Sequence, residues 1–248
     1  MSNGPAVTVL VHGLWMHGVV MQLQRYYLAG MGFDAVCYSY PSMRLTLTEN
    51  ADRLAEFARR LGASPVHWVG HSLGGLVILR MLEREPALPP GRVVLLGAPY
   101  GDGYARRALA ANRLGARMLG RSIGEWVDGR KPEDFPGREI GVIAGSLSRG
   151  LGRMVARGLP TPNDGVVTVA ETELAAACDR IVLPVSHSGM LLSRRVARQS
   201  GAFLRAGKFD TLESFDRQCM LADELMADKI VPNLVHPLIN VIAQKRIT

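Results

Sequence analysis

The sequence predicts an α/β fold, with a mainly parallel sheet of about six strands flanked by helices on both faces. Two observations carry this prediction. Short apolar runs rich in Val, Ile and Leu alternate with stretches whose apolar residues recur at helical spacing, and Gly or Pro marks most of the boundaries. Strand-helix alternation in turn requires right-handed crossovers, which set successive strands parallel and cover both faces. At 248 residues, 48% of them hydrophobic, the chain is long enough for one substantial core and too apolar for a disordered one.

The elements follow in order. Ala6–His12 is a continuous apolar, β-branched run, as expected for a strand buried on both faces. Val19–Ala29 reads as a helix ending near Gly30 and Gly32. Asp34–Tyr40 is a second strand stopped by Pro41. Thr48–Leu61 carries Ala51, Leu54, Ala55, Ala58 and Leu61 at helical spacing, with Gly62 as a stop. Pro65–Gly70 is a third strand, followed by a glycine-rich turn and a helix over about Leu73–Arg84. Arg92–Ala98, Glu139–Ala144 and Asp179–Val185 supply three more strands, and a helix over about Gly189–Arg205 closes the unit.

Two stretches break the alternation. Residues 100–138 are too long for an ordinary connection and contain an amphipathic pattern. Leu109, Leu114, Met118 and Leu119 are interleaved there with Arg106, Arg107, Arg113, Arg117 and Arg121. A cap over a site and a helical excursion packed on the sheet are both consistent with it. From Lys208 onward glycine disappears, and Lys and Ile become commoner. The expected organisation is a domain over 1–207, with the helical insertion at about 100–138, and a C-terminal extension over 208–248. The extension reads either as an appended, non-native segment or as a native helical one.

The net charge of +7 suits anionic surfaces, but the Arg residues are scattered and no RNA-binding signature accompanies them. The expected partner is a small molecule rather than nucleic acid. Contact of the Arg-bearing insertion with a lipid surface is a further expectation. Cys37, Cys178 and Cys219 are far apart and form no CxxC pair, so neither a disulfide framework nor a zinc cluster is indicated. No apolar stretch approaches the roughly 18–20 residues that span a bilayer, and the polar start lacks the pattern of a secretory signal. A cytoplasmic location is the expectation.

The strongest chemical signal is Val66-His67-Trp68-Val69-Gly70-His71-Ser72-Leu73-Gly74-Gly75, a G-x-S-x-G set between strand and helix. A nucleophile on so sharp a turn occupies strained backbone, and its neighbours must lack bulk. Ser72 is therefore the candidate nucleophile. A serine hydroxyl needs a base to take its proton and an acid to hold that base. Pro184-Val185-Ser186-His187-Ser188-Gly189 sets His187 directly after the sixth strand, where it overlooks the same edge, and makes it the candidate base. His12 and His71 lie inside motifs whose backbone matters more than the ring.

Asp164, in Asn163-Asp164-Gly165 after the fifth strand, is the candidate acid, and Asp102 after the fourth strand is its alternative. Asn-Asp-Gly also favours turns by itself. His12-Gly13-Leu14-Trp15 follows the first strand, so the N–H of Leu14 can join that of Leu73 as a pair of oxyanion donors. Trp15, Met16 and Val19 are expected to line the acyl side of a pocket.

In this order, His12-Gly13, Gly70-His71-Ser72-Leu73-Gly74-Gly75, Asp164-Gly165 and Ser186-His187 resemble the α/β-hydrolase superfamily, in the manner of compact bacterial lipase- and esterase-like members. The resemblance runs from about Ala6 to Arg205. It implies a sheet that lacks the two amino-terminal strands of larger members. It also implies two-step acyl transfer to water through an acyl-enzyme, without metal or cofactor. A carboxylic ester is the expected substrate. Thioesterase, amidase or acyltransferase activity with the same triad, or a non-catalytic ligand-binding protein on the same fold, are the alternatives.

Overall fold

A computed structural model describes residues 5–101, 113–149 and 159–210, except for the side chains of 113–119. Asp102, residues 211–248 and the first part of the Arg- and Leu-rich insertion lie outside the described residues.

Six strands form one sheet: β1 (Val7–Val11), β2 (Ala35–Tyr38), β3 (Val66–His71), β4 (Val93–Leu96), β5 (Ile140–Gly145) and β6 (Asp179–Leu183). Their order is β2-β1-β3-β4-β5-β6, and every neighbouring pair is parallel. The α-helices among the described residues are α1 (Gln22–Gly30), α2 (Leu47–Arg60), α3 (Leu73–Arg84), α4 (Arg113–Asp128) and α5 (Arg194–Ala206).

Successive side chains of a strand face opposite ways, and the sheet accordingly divides its apolar residues between two cores. Val9, Val11, Trp68, Val93, Leu95 and Val142 join the core that includes residues of α2 and α3. Leu10, Val69, Val94, Leu96 and Ile143 join Leu28, Val196 and Phe203 from α1 and α5. Each fully buried aliphatic side chain contributes about 1.5–3 kcal/mol.

Local signals explain where the helices begin. Thr46 and Glu49 form a reciprocal capping box at the start of α2, with bonds of 3.1 and 2.7 Å. The helix expected from Val19 is split: a 3-10 turn covers Gly18–Met21, and α1 starts only at Gln22. Here the Gly18 N–H is taken by the Ser39 hydroxyl at 3.1 Å, and no side chain caps the turn. The helix expected from Gly189 is also split, because Ser193 caps the Val196 N–H and begins α5 afresh behind a short 3-10 turn at Gly189–Leu191.

Within the long insertion, α4 is broken at Gly120 (φ 70°, ψ 175°). Its second half docks on the amino end of α2. The Ser122 hydroxyl donates to Leu45 O at 2.8 Å and accepts from the Asn50 amide at 3.0 Å. Glu125 accepts from the N–H and the hydroxyl of Thr48, and Trp126 is fully buried. This half is a packed excursion. No helix among the described residues is long and apolar enough to cross a membrane.

Candidate active site

Parallel α/β sheets gather ligands at the carboxyl ends of their strands, and the candidate residues collect there. Ser72 follows β3 directly, with φ 52° and ψ −123°. Among the described residues Trp15 (φ 60°) is the only other non-glycine residue with positive φ. Both stand in segments that the sequence singles out, and such backbone persists only where its surroundings hold it.

The Ser72 turn is tied down on both sides. Its N–H continues the sheet ladder to Leu96 O at 2.9 Å, and its carbonyl accepts from the Gly75 N–H at 3.0 Å. At Gly74 a Cβ would lie 2.3 Å from Val11 O and 2.5 Å from His12 O. No side chain fits that contact, and α3 can leave the turn at this angle only because residue 74 has none.

His187 and Asp164 are joined twice. The His187 Nδ1–H donates to Asp164 Oδ2 at 2.7 Å, and its backbone N–H donates to Asp164 O at 2.9 Å. The other carboxylate oxygen, Oδ1, accepts the N–H groups of Val166 (2.9 Å) and Val167 (2.7 Å). Asp164 is 1% exposed and His187 7%. A buried carboxylate holding three N–H groups is fixed in place. With Nδ1 donating, the neutral imidazole carries its lone pair on Nε2, the atom able to take a proton. Ser72 and His187 are not hydrogen-bonded to each other. They are linked through His71, whose Nε2 bonds to His187 O at 3.0 Å.

On the other side of Ser72 lies the loop after β1. A Cβ on Gly13 would be 3.1 Å from the Ser72 Cβ. Neither the Leu14 nor the Leu73 backbone N–H has a hydrogen-bond partner among the described residues. Trp15 and Val19 are exposed, whereas Met16 is partly buried against the core beside α1.

The structure assigns more to two rings than their motifs suggested. His12 donates from Nδ1 to Gly13 O at 2.8 Å, accepts the Tyr40 N–H on Nε2 at 3.2 Å, and stacks on the Tyr40 ring at 4.4 Å. Burial pulls its pKa down to about 4, against the bond to Gly13. Burial, with the nearby His187, pulls His71 down to about 3. Both rings are neutral fixtures of the turn.

Two glycines were also missed. Gly97, at the end of β4, has φ 54°, and a Cβ there would come 3.1 Å from Asp164 Oδ2 and 3.2 Å from His187 Nδ1. Gly145, at the end of β5, would come 2.7 Å from the Asp164 Cβ. These two clear a floor on which the acid and imidazole lie. Their only signal in the sequence was a glycine directly behind each strand. No group of three or more His, Cys, Asp or Glu among the described residues forms a metal-holding cluster.

A parallel sheet with a strained serine behind one strand and a bonded His-Asp pair behind two others defines a hydrolase of the α/β type. The sequence model of the Alpha/beta hydrolase family matches residues 8–213, and the chain belongs to that family. Among solved structures, the mature lipase BlEst2 of Bacillus licheniformis is similar at 19% identity and TM-score 0.67, over 83% of this chain and 93% of that one. A monoacylglycerol lipase of Paleococcus ferrophilus is 16% identical with TM-score 0.57, over 83% and 97%. The thioesterase RedJ of Streptomyces coelicolor is 16% identical with TM-score 0.53, over 80% and 85%. No curated protein matches.

Proposed function

We propose that this hydrolase cleaves carboxylic esters through an acyl-enzyme on Ser72. His187 is the general base, Asp164 its acid partner, and the N–H groups of Leu14 and Leu73 the oxyanion donors. In the first step the Ser72 hydroxyl attacks the acyl carbon and its proton passes to His187 Nε2. Negative charge forms on the carbonyl oxygen between the two N–H groups. Each such donor is worth about 3 kcal/mol in the transition state. The tetrahedral species collapses, the alcohol leaves with the proton from His187, and water repeats the cycle to free the acid.

The observation that carries this reading is the 2.7 Å Asp164–His187 bond, which leaves the imidazole in the tautomer a base requires. The positive-φ turn of Ser72 and the N–H groups of Leu14 and Leu73, without a hydrogen-bond partner among the described residues, support it. The exposed Trp15 and Val19 give an apolar rim for a small or medium acyl group, with no cofactor required.

The test is labelling with a fluorophosphonate probe and peptide mapping, followed by p-nitrophenyl acetate and butyrate assays on wild type and Ser72→Ala. Ser72 is expected to carry the label, and turnover to fall by about four to six orders of magnitude in the variant. An unlabelled Ser72, or an unchanged rate, rejects the reading. Rates on oxygen esters and thioesters of matched length separate ester from thioester chemistry.

A further inference from the structure

The base after β6 and the nucleophile after β3 belong to strands with β4 and β5 between them. At the usual spacing of about 4.8 Å per strand, about 14 Å separates the two strand ends. The segment carrying His187 must therefore be drawn back across two strands. Its bonds to Asp164, one from the backbone N–H and one from Nδ1, tie it to the segment after β5 and not to the nucleophile. One hydrogen bond reaches from the nucleophile's own strand to residue 187, and it comes from the His71 ring, one residue before Ser72.

We infer that His71 is a positioning residue that sets the distance between base and nucleophile by holding the His187 carbonyl through its Nε2–H. The assignment rests on the serine-hydrolase reading above and deepens it. A carbonyl can only accept, so Nε2 carries the proton and Nδ1 is bare. Nδ1 is fully buried without a hydrogen-bond partner, turned toward Gly13, where a Cβ would meet it at 3.0 Å. A buried imidazole with one nitrogen unpaired is an unfavourable core residue, and an apolar side chain would fill the space without that nitrogen. What the ring adds is a donor at Nε2, 3.0 Å from the one carbonyl that fixes the base. The two rings lie with centroids 4.7 Å apart and tilted by 48°, so a shift of one is felt by the other. Burial holds the His71 pKa down to about 3, so the ring is neutral at neutral pH.

The test uses the full chain and three variants. In His71→Gln the side-chain amide nitrogen reaches about as far as Nε2, whereas in His71→Asn it falls short. On an ester substrate, His71→Asn is expected to lower kcat by about 10- to 100-fold with KM within about twofold, as for a small misplacement of a reacting group. His71→Gln is expected to recover kcat to within about fivefold of wild type. Wild-type kinetics in His71→Asn, or equal losses in the Gln and Asn variants, overturn the assignment.

A second measurement needs neither mutant nor substrate. Nitrogen-15 shifts of His71 in the wild-type protein should report the Nε2–H tautomer, and the Nδ1–H tautomer overturns the assignment. The third variant, Ser72→Ala, separates the two ideas. Unchanged turnover there sinks the esterase reading and the positioning role with it, whereas lost turnover there with wild-type kinetics in His71→Asn overturns the positioning role alone.

Discussion

His187 holds Asp164 at both levels of its structure: the imidazole bonds to the carboxylate at 2.7 Å and the backbone N–H to the carbonyl at 2.9 Å. Rotation of the ring alone cannot separate the two residues. The carboxylate in turn is held by the N–H groups of Val166 and Val167, so the pair forms one unit with the loop after β5.

Asp164→Asn keeps the shape of this unit but removes the charge and reverses the preferred tautomer of His187. The expected loss in kcat is about 10⁴-fold, with thermal stability little changed. Steady-state kinetics on a p-nitrophenyl ester with a parallel melting curve checks it, and a loss below tenfold would remove Asp164 from the chemistry.

Gly97→Ala introduces a methyl group at φ 54°, against Asp164 Oδ2 and His187 Nδ1. Positive φ costs about 1–2 kcal/mol for a residue with a Cβ, and displacing the pair should reduce kcat by about 100-fold. Activity is expected to suffer far more than folding. Urea unfolding beside ester kinetics compares the two losses.

The buried histidines predict an acid-side loss of stability. The folded pKa of His12 is depressed from 6.5 to about 4 and that of His71 to about 3. Below pH 6.5 the unfolded chain therefore binds protons that the folded chain refuses, and stability falls as pH drops from 6.5 toward these values. Above pH 6.5 the contribution is fully present. The two shifts correspond to about 3 kcal/mol for His12 and about 5 kcal/mol for His71 across their windows. Urea midpoints at pH 7.0, 5.5 and 4.5 should decline in wild type and decline less steeply in His71→Gln.

Trp126 is fully buried, meets the Tyr100 ring edge-on at 5.8 Å, and lies under the Arg80 guanidinium at 5.8 Å. Trp126→Ala should cost about 3–5 kcal/mol. Because the second half of α4 is docked through this ring, the loss should appear first as amide exchange in Ile123–Asp128 by mass spectrometry. Unchanged protection there would refute the docking.

Much was legible from residue order alone. Unbroken Val, Ile and Leu runs give a strand buried on both faces, and all six expected strands occur, with ends shifted by a few residues. The G-x-S-x-G set between strand and helix located Ser72, because only glycine tolerates the approach of Val11 O at position 74. Splitting of the first helix was not legible, since the Ser39 hydroxyl that takes the Gly18 N–H arrives from a different part of the chain, whereas the Ser193 cap that divides the last helix is a local contact.

The sequence by itself determined the strands, their parallel crossovers, and that Ser72 and His187 stand behind strand ends with Asp164 and Asp102 as the candidate acids, because periodicity and turn chemistry are local properties of the chain. Only the tertiary structure decided that Asp164 meets His187, that Gly97 and Gly145 lie beneath them, and that the His71 ring grips the His187 carbonyl. Those contacts join residues 19 to 116 positions apart, and no local pattern encodes a distance that depends on how four strands are ordered in a sheet.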